Sequence, residues 1–225
     1  MVTRSAVIAT LTLWLAMALA NAAAAARFTV GGLVGYRAGL GAEVDATAAD
    51  FAEGFPLAAR FAVGYARREP GNPADARRIF INDATDGTPE EAGWYWDYRF
   101  DMMYRFGWRS AKNLFATAGV RYSLFTANFE FVGGNEDFDI TSHQWGVGAG
   151  LEGYFDISDR FQFVIGGGVD YFFDAELTGH DTTYSPDGDD VNPRDDYTYD
   201  DARDAVNALG LEGRAVIGIS YRFGS

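Results

Sequence analysis

Residues Trp94–Arg109 read WYWDYRFDMMYRFGWR, and this stretch decides the fold. Trp94, Trp96, Tyr98, Phe100, Met102, Tyr104, Phe106 and Trp108 fill every second position. Between them stand Tyr95, Asp97, Arg99, Asp101, Met103, Arg105, Gly107 and Arg109. Successive side chains on a β-strand point to opposite faces. One face of this strand is therefore wholly apolar or aromatic, and the other is mostly charged. At about 16 residues it is also far longer than the five or six usual in a soluble sheet.

The pattern recurs along the chain. Phe55, Leu57, Ala59, Phe61, Val63 and Tyr65 alternate with Pro56, Ala58, Arg60, Ala62 and Gly64. Leu114 to Leu124 alternates with Phe115, Thr117, Gly119, Arg121 and Ser123. Trp145, Val147, Ala149, Leu151 and Phe155 oppose Gln144, Gly146, Gly148, Gly150, Glu152 and Tyr154. Phe161, Phe163, Ile165, Val169, Tyr171 and Phe173 oppose Gln162, Gly166, Gly168 and Asp170. The last strand sets Leu211, Ala215, Ile217, Ile219, Tyr221 and Phe223 against Glu212, Arg214, Gly218, Ser220 and Arg222. Such repeated segments, apolar on one face and polar on the other, are the signature of a lipid-embedded barrel.

Two further strands precede these. Phe28, Val30, Val34 and Tyr36 alternate with Thr29, Gly31, Leu33 and Gly35. Leu40, Ala42, Val44 and Ala46 alternate with Gly41, Glu43, Asp45 and Thr47. The second has the weaker pattern, because alanine forms β structure poorly. An even strand count, which keeps both chain ends on one side of the membrane, requires it. The expected fold is thus all-β, a transmembrane up-and-down antiparallel barrel of eight strands. Short connectors at Arg37 to Gly39, Ala48 to Gly54, Ser110 to Asn113 and Asp156 to Asp159 read as turns. Segments 67–93, 126–139 and 177–207 read as long extracellular loops.

Composition agrees with this class. The 225 residues hold no cysteine, 27 glycines, 18 Phe, 12 Tyr and 5 Trp. A formal charge of −14, with Lys112 the single lysine, argues against a nucleic-acid partner. At the N-terminus, Arg4 precedes an apolar run from Ala6 to Ala20, and small residues continue to Ala26. That is the layout of a signal peptide over 1–26, expected to be cleaved before Arg27. The run is too short for a spanning helix. The expected destination is the bacterial outer membrane.

With these features in place, the chain resembles the small outer-membrane barrels typified by outer membrane proteins A and X. The signal peptide, the aromatic-rich alternation and the closing strand Gly213 to Phe223 carry the resemblance. Tyr221-Arg222-Phe223 resembles the aromatic-x-Phe assembly signal, although Gly224 and Ser225 follow it. The resemblance implies contact with the barrel-assembly machinery during biogenesis and with outer-membrane lipid and lipopolysaccharide afterwards. It transfers architecture rather than activity. No cofactor is expected, and no peptidoglycan-binding domain is expected after the barrel.

The candidate functional residues are the charges of the polar face. Glu43, Asp45, Arg60, Asp97, Arg99, Asp101, Arg105, Arg109, Arg121, Glu152, Asp170, Glu212, Arg214 and Arg222 are expected to face the lumen. An eight-stranded barrel is just wide enough for side chains to fill, so these charges should pair. A filled plug is the expected outcome, and a narrow porin or small-solute channel is its alternative. The segment from Glu176 to Asp204 carries many aspartates, which could take divalent cations but are expected to form a solvated, mobile loop. In the loop 67–93, Ile79-Phe80-Ile81 is expected to extend a hairpin or to contact a partner. A lipid-modifying enzyme is the third reading, resting on Ser142-His143, with His180 the other histidine. Adjacent strand residues face opposite ways, which argues against a Ser142–His143 pair. The expected role is therefore non-enzymatic: structural, adhesive or envelope-interacting, through the acidic loops.

Overall fold

A computed structural model describes residues 27–50, 56–108 and 111–223. The proposed signal peptide and Arg109 lie outside the described residues. Eight long strands form the wall: β1 (Arg27–Arg37), β2 (Leu40–Ala49), β3 (Leu57–Arg68), β4 (Thr88–Trp108), β5 (Ala111–Val132), β6 (Asp137–Asp156), β7 (Phe161–Phe172) and β10 (Leu211–Phe223). Each pairs antiparallel with its neighbour in sequence, β7 pairs with β10, and β1 pairs with β10 to close the barrel. The alanine-rich β2 forms as expected, held by full ladders to β1 and β3. Closure leaves no unpaired edge within the barrel.

Burial follows the alternation. Val34, Val44, Phe61, Phe100, Val120, Val147, Ile165 and Ile217 are exposed on the outer wall. Leu33, Glu43, Arg60, Arg99, Arg121, Glu152, Val164 and Arg214 are buried inside. The usual soluble arrangement is inverted: apolar groups face outward and charge is enclosed. Only a lipid surround makes that favourable.

The loop end departs from the expectation. The segment 126–139 is not a loop. Strands β5 and β6 run on as a hairpin, with Glu130 paired to Asp137 and a tight turn over 133–136. The segment 67–93 begins and ends in strand and holds a helix, α1 (Pro73–Phe80). Asn72 caps α1, accepting from the Ala74 and Asp75 N–H groups at 3.0 and 3.3 Å, and Pro73 opens it. The segment 177–207 holds a short hairpin, β8 (Leu177–Gly179) and β9 (Thr182–Tyr184), and a helix, α2 (Tyr199–Ala205). Strand β8 adds to the upper edge of β6 through Ile140 and Thr141. In α2, a Thr198–Asp201 capping box holds the first turn.

These elements fold over the barrel mouth. Ile79 and Phe80 of α1, Leu177, Tyr184, Ala202, Ala205, Val206 and Leu209 pack against Tyr95, Phe125, Phe129, Phe138, Ile140 and Phe172 of the wall. Ile79 and Phe80 therefore neither extend a hairpin nor face a partner; they are the centre of an apolar cap.

Candidate functional site

Below the cap, five arginines and their carboxylate partners fill the lumen. Arg60 on β3 donates to Asp101 on β4 at 2.7 Å and to Glu152 on β6 at 2.6 Å. Arg121 on β5 donates to Asp101 at 2.7 Å and to Asp170 on β7 at 2.8 Å. Arg214 on β10 reaches Glu152 at 3.4 Å and Asp170 at 3.5 Å. Arg99 lies 3.3 Å from Asp170 and 3.5 Å from Glu43. Arg37 completes the set, at 2.7 Å from Glu43 and 2.5 Å from Asp97. The side chains of Arg60, Arg99, Arg121, Asp101 and Glu152 are fully buried.

The physical reason for this pattern is the forked guanidinium. One arginine can hold two carboxylates on two different strands, so each ion pair also ties strands together across the barrel. An unpaired charge here would carry a large desolvation cost. Room for the forks comes from inward glycines. A Cβ on Gly148 would overlap Asp170 and the Arg121 guanidinium, and one on Gly64 would overlap Arg37.

The structure brings together Glu43, Arg60, Asp97, Arg99, Asp101, Arg121, Glu152, Asp170 and Arg214. Among the described residues, the remaining candidates do not join the central network. Asp45 is buried but has no ion pair among the described residues; its Oδ1 accepts from the Thr47 hydroxyl at 3.3 Å. Arg105 pairs with Asp50 at 2.6 Å, half-exposed toward the end that carries the chain termini. Arg222 pairs with Asp156 at 3.0 Å at that same rim. Glu212 pairs with Arg68 at 3.0 Å at the loop-end rim. For Arg105, Arg222 and Glu212 the reason is depth: they share the inward phase of their strands but lie where the barrel opens. Two inward arginines escaped the sequence reading, Arg37 of the network and Arg68 at the loop-end rim. Both continue the inward phase of their strands, from Gly35 and from Ala66, and both were assigned to connectors.

The two ends of the lumen differ. At the loop end, Tyr95 donates its hydroxyl to the Arg37 carbonyl, and Phe125 and Phe172 are buried above the charges. At the terminus end lies a cavity of about 230 Å³ lined by Arg27, Asp50, Met103, Arg105, Phe115, Tyr154 and Arg222, among others. Tyr154, which lines it, also packs against the apolar inward cluster of Leu33, Val164 and Val216.

The cap carries its own polar ties. Arg77 is buried, lies 2.5 Å from Glu136 and 3.0 Å from Asp86, and stacks over the Phe131 ring at 4.5 Å. The Tyr184 hydroxyl donates to the Ile79 carbonyl at 3.3 Å and accepts from the Arg194 N–H at 3.1 Å. The acidic stretch expected to be mobile is folded into this cap. Ser185 donates to Asp187 at 2.5 Å, and Asp190 accepts from the Ser185 N–H at 2.7 Å. The Ser185 hydroxyl holds the Asp187 carboxyl below its ordinary range, and the Thr198 hydroxyl does the same for Asp201. Among the described residues, no group of three or more His, Asp or Glu side chains is placed to hold a metal ion.

Ser142 is buried on the inner face, whereas His143 is exposed on the outer face beside Tyr122. The alternation thus separates them, and they form no catalytic pair. His180 lies 3.2 Å from Asp181 in an exposed turn. At the closing strand, Tyr221 and Phe223 pack edge to face with their ring centres 4.9 Å apart on the outer wall.

No family model matches the chain, and no curated protein sequence matches it. Solved structures do. A major outer membrane protein from Thermus thermophilus is 24% identical, with a TM-score of 0.71; the match covers 88% of this chain and 100% of that one. Neisserial surface protein A is 15% identical with a TM-score of 0.39, over 88% of this chain and 96% of that one. Ail, the attachment invasion locus protein of Yersinia pestis, is 16% identical with a TM-score of 0.40, over 88% and 97%. The first of these matches, together with the closed antiparallel ladder, gives this chain the fold of the small eight-stranded outer-membrane β-barrels.

Proposed function

We propose that this chain is a plugged, non-enzymatic barrel of the bacterial outer membrane, secreted with a cleaved signal peptide. Its loop end faces outward, and its acidic cap performs a structural, adhesive or envelope-interaction role. One observation carries this reading: the lumen is filled by fully buried ion pairs from Arg60 to Arg121, and the mouth above them is closed by an apolar core. A conducting pore needs a continuous file of water, whereas these guanidiniums and carboxylates fill the lumen and expose no surface to solvent. The cap supports the interaction role. It is a folded surface rather than a set of loose loops, and it displays Asp181, Asp187, Asp189, Asp195, Asp196 and Asp200 to solvent. Such a surface favours cationic partners and repels anionic ones.

Single-channel recording of the refolded protein tests the reading. Silence across a range of voltages is expected. Stepwise conductance in the wild type would overturn the plug and favour a narrow porin. Cell fractionation tests the location: recovery in a soluble periplasmic fraction would overturn it.

A further inference from the structure

Among the described residues, every arginine but two is ion-paired with a carboxylate. The exceptions are Arg67 and Arg160. Arg160 lies in the turn at the terminus end, where it donates to the Tyr221 hydroxyl at 3.4 Å. Arg67 lies at the opposite end of the apolar belt, where the wall meets the cap.

Arg67 continues the outward phase of β3 after Phe61, Val63 and Tyr65, and it is exposed. Across the sheet its neighbours are Leu40 on one side and Trp94 on the other. One step nearer the belt, Tyr65 and Trp96 make a tilted ring contact with their centres 5.2 Å apart. Two grooves meet at Arg67. One, of about 600 Å³, includes Tyr65, Glu69 and Trp94; the other, of about 800 Å³, includes Tyr36, Leu40 and Leu211. Glu69 and Glu91 line the first groove on the cap side, yet neither is ion-paired with Arg67.

A guanidinium at this position has an unusual setting. Tryptophan and tyrosine girdles mark the level of lipid headgroups on a barrel. A cation just above such a girdle sits where headgroup phosphates lie. Arginine binds phosphate through two parallel N–H donors, which a lysine cannot reproduce. The cap above is acidic, yet its carboxylates leave this one arginine without a partner.

We propose that Arg67 is the phosphate anchor for an anionic lipid headgroup of the outer leaflet, which the two flanking grooves receive. Trp94 and Leu40 border the headgroup, and the Tyr65–Trp96 pair underlies the start of the acyl chains. This assignment rests on the reading that the barrel spans the outer membrane with its loop end outward.

The test uses the full mature chain refolded into phosphatidylcholine vesicles that contain phosphatidic acid. In a Trp108→Phe, Trp145→Phe background, quenching of tryptophan emission by brominated phosphatidic acid, relative to brominated phosphatidylcholine, reads the lipid preference beside Trp94 and Trp96. The wild type should prefer the anionic lipid about fivefold, which is roughly 1 kcal/mol for one arginine near an anionic surface, converted. Arg67→Gln should bring the preference close to one, and Arg67→Lys should retain part of it. A preference unchanged in Arg67→Gln would overturn the proposal. Loss of the preference on adding millimolar inorganic phosphate would make free phosphate the ligand and overturn the lipid assignment. A chain that enters vesicles but shows no preference defeats the anchor alone, while one that never inserts defeats the membrane reading as well.

Discussion

Arg121 donates to Asp101 at 2.7 Å from one strand to the next, and neither side chain meets solvent. Asp101 also accepts from Arg60 at 2.7 Å on its other oxygen, so a single carboxylate joins β3, β4 and β5. Asp101→Ala would leave two buried arginines each short of a partner. Breaking a buried pair in this way costs about 3–5 kcal/mol. The unfolding midpoint in urea should fall markedly, whereas Asp189→Ala on the exposed cap should leave it within experimental scatter. Equal midpoints for the two variants would refute a plug held by buried ion pairs.

The space for the network comes from residues that have no side chain. Gly148→Ala places a methyl group against Asp170 and Arg121, which are held from several sides and have little freedom to retreat. Overpacking of this kind costs about 1–3 kcal/mol. Gly32→Ala is the control: its Cβ would point into open space on the lipid side, and stability should hold or rise slightly. The measurement is the pair of unfolding midpoints in the same lipid. A neutral Gly148→Ala would mean that the network has room to spare.

The outer wall should respond to charge by depth. Phe100→Arg or Ile165→Arg, in the middle of the belt, should cost about 2–4 kcal/mol of folding stability in a bilayer. Val132→Arg, exposed at the tip of the β5–β6 hairpin, should cost about 0.5 kcal/mol or less. Gly93 and Ala127 lie toward the loop end as well, yet both are buried, Ala127 completely beneath the cap, and arginine there should be severely disruptive. Refolding yields and unfolding midpoints of these variants check the depth assignment.

The cap should open without loss of the barrel. Phe80 is almost fully buried, with its ring centre 5.4 Å from that of Tyr184. Phe80→Ala removes the centre of this small core, a change that typically costs about 3–5 kcal/mol. Limited proteolysis should then cut within 69–87 and 173–210, while unboiled samples keep the altered gel mobility of an intact barrel. Cuts in the strands of the wall, or loss of the mobility shift, would show that cap and barrel fold as one unit.

The alternation from Trp94 to Arg109 made the barrel legible because a strand has a period of two, and lipid outside and charge inside demand that period. The same alternation carried Glu43, Arg60, Asp97, Arg99, Asp101, Arg121, Glu152, Asp170 and Arg214 to the inner face. It also separated Ser142 from His143. Arg37 and Arg68 were legible by phase but were lost to turn assignment, since strand ends carry no local signal of their own. The hairpin of β5 and β6 was read as a loop for a similar reason. Asn128, Glu130, Asp137 and Asp139 break the apolar outer face where the strands rise above the lipid, although the backbone ladder continues.

The sequence by itself determined the strand count, the two faces and most of the charges enclosed, because each follows from near-neighbour periodicity against a fixed surround. Only the tertiary structure decided which charge meets which, since partners such as Arg60 and Glu152 stand 92 residues apart and are joined by strand register and tilt. The cap is the clearest case. Ile79, Phe80, Leu177, Tyr184, Val206 and Leu209 are scattered among aspartates with no shared period. They become a core only when three separate segments meet over the barrel mouth, because apolar burial depends on position in space and not on order in the chain.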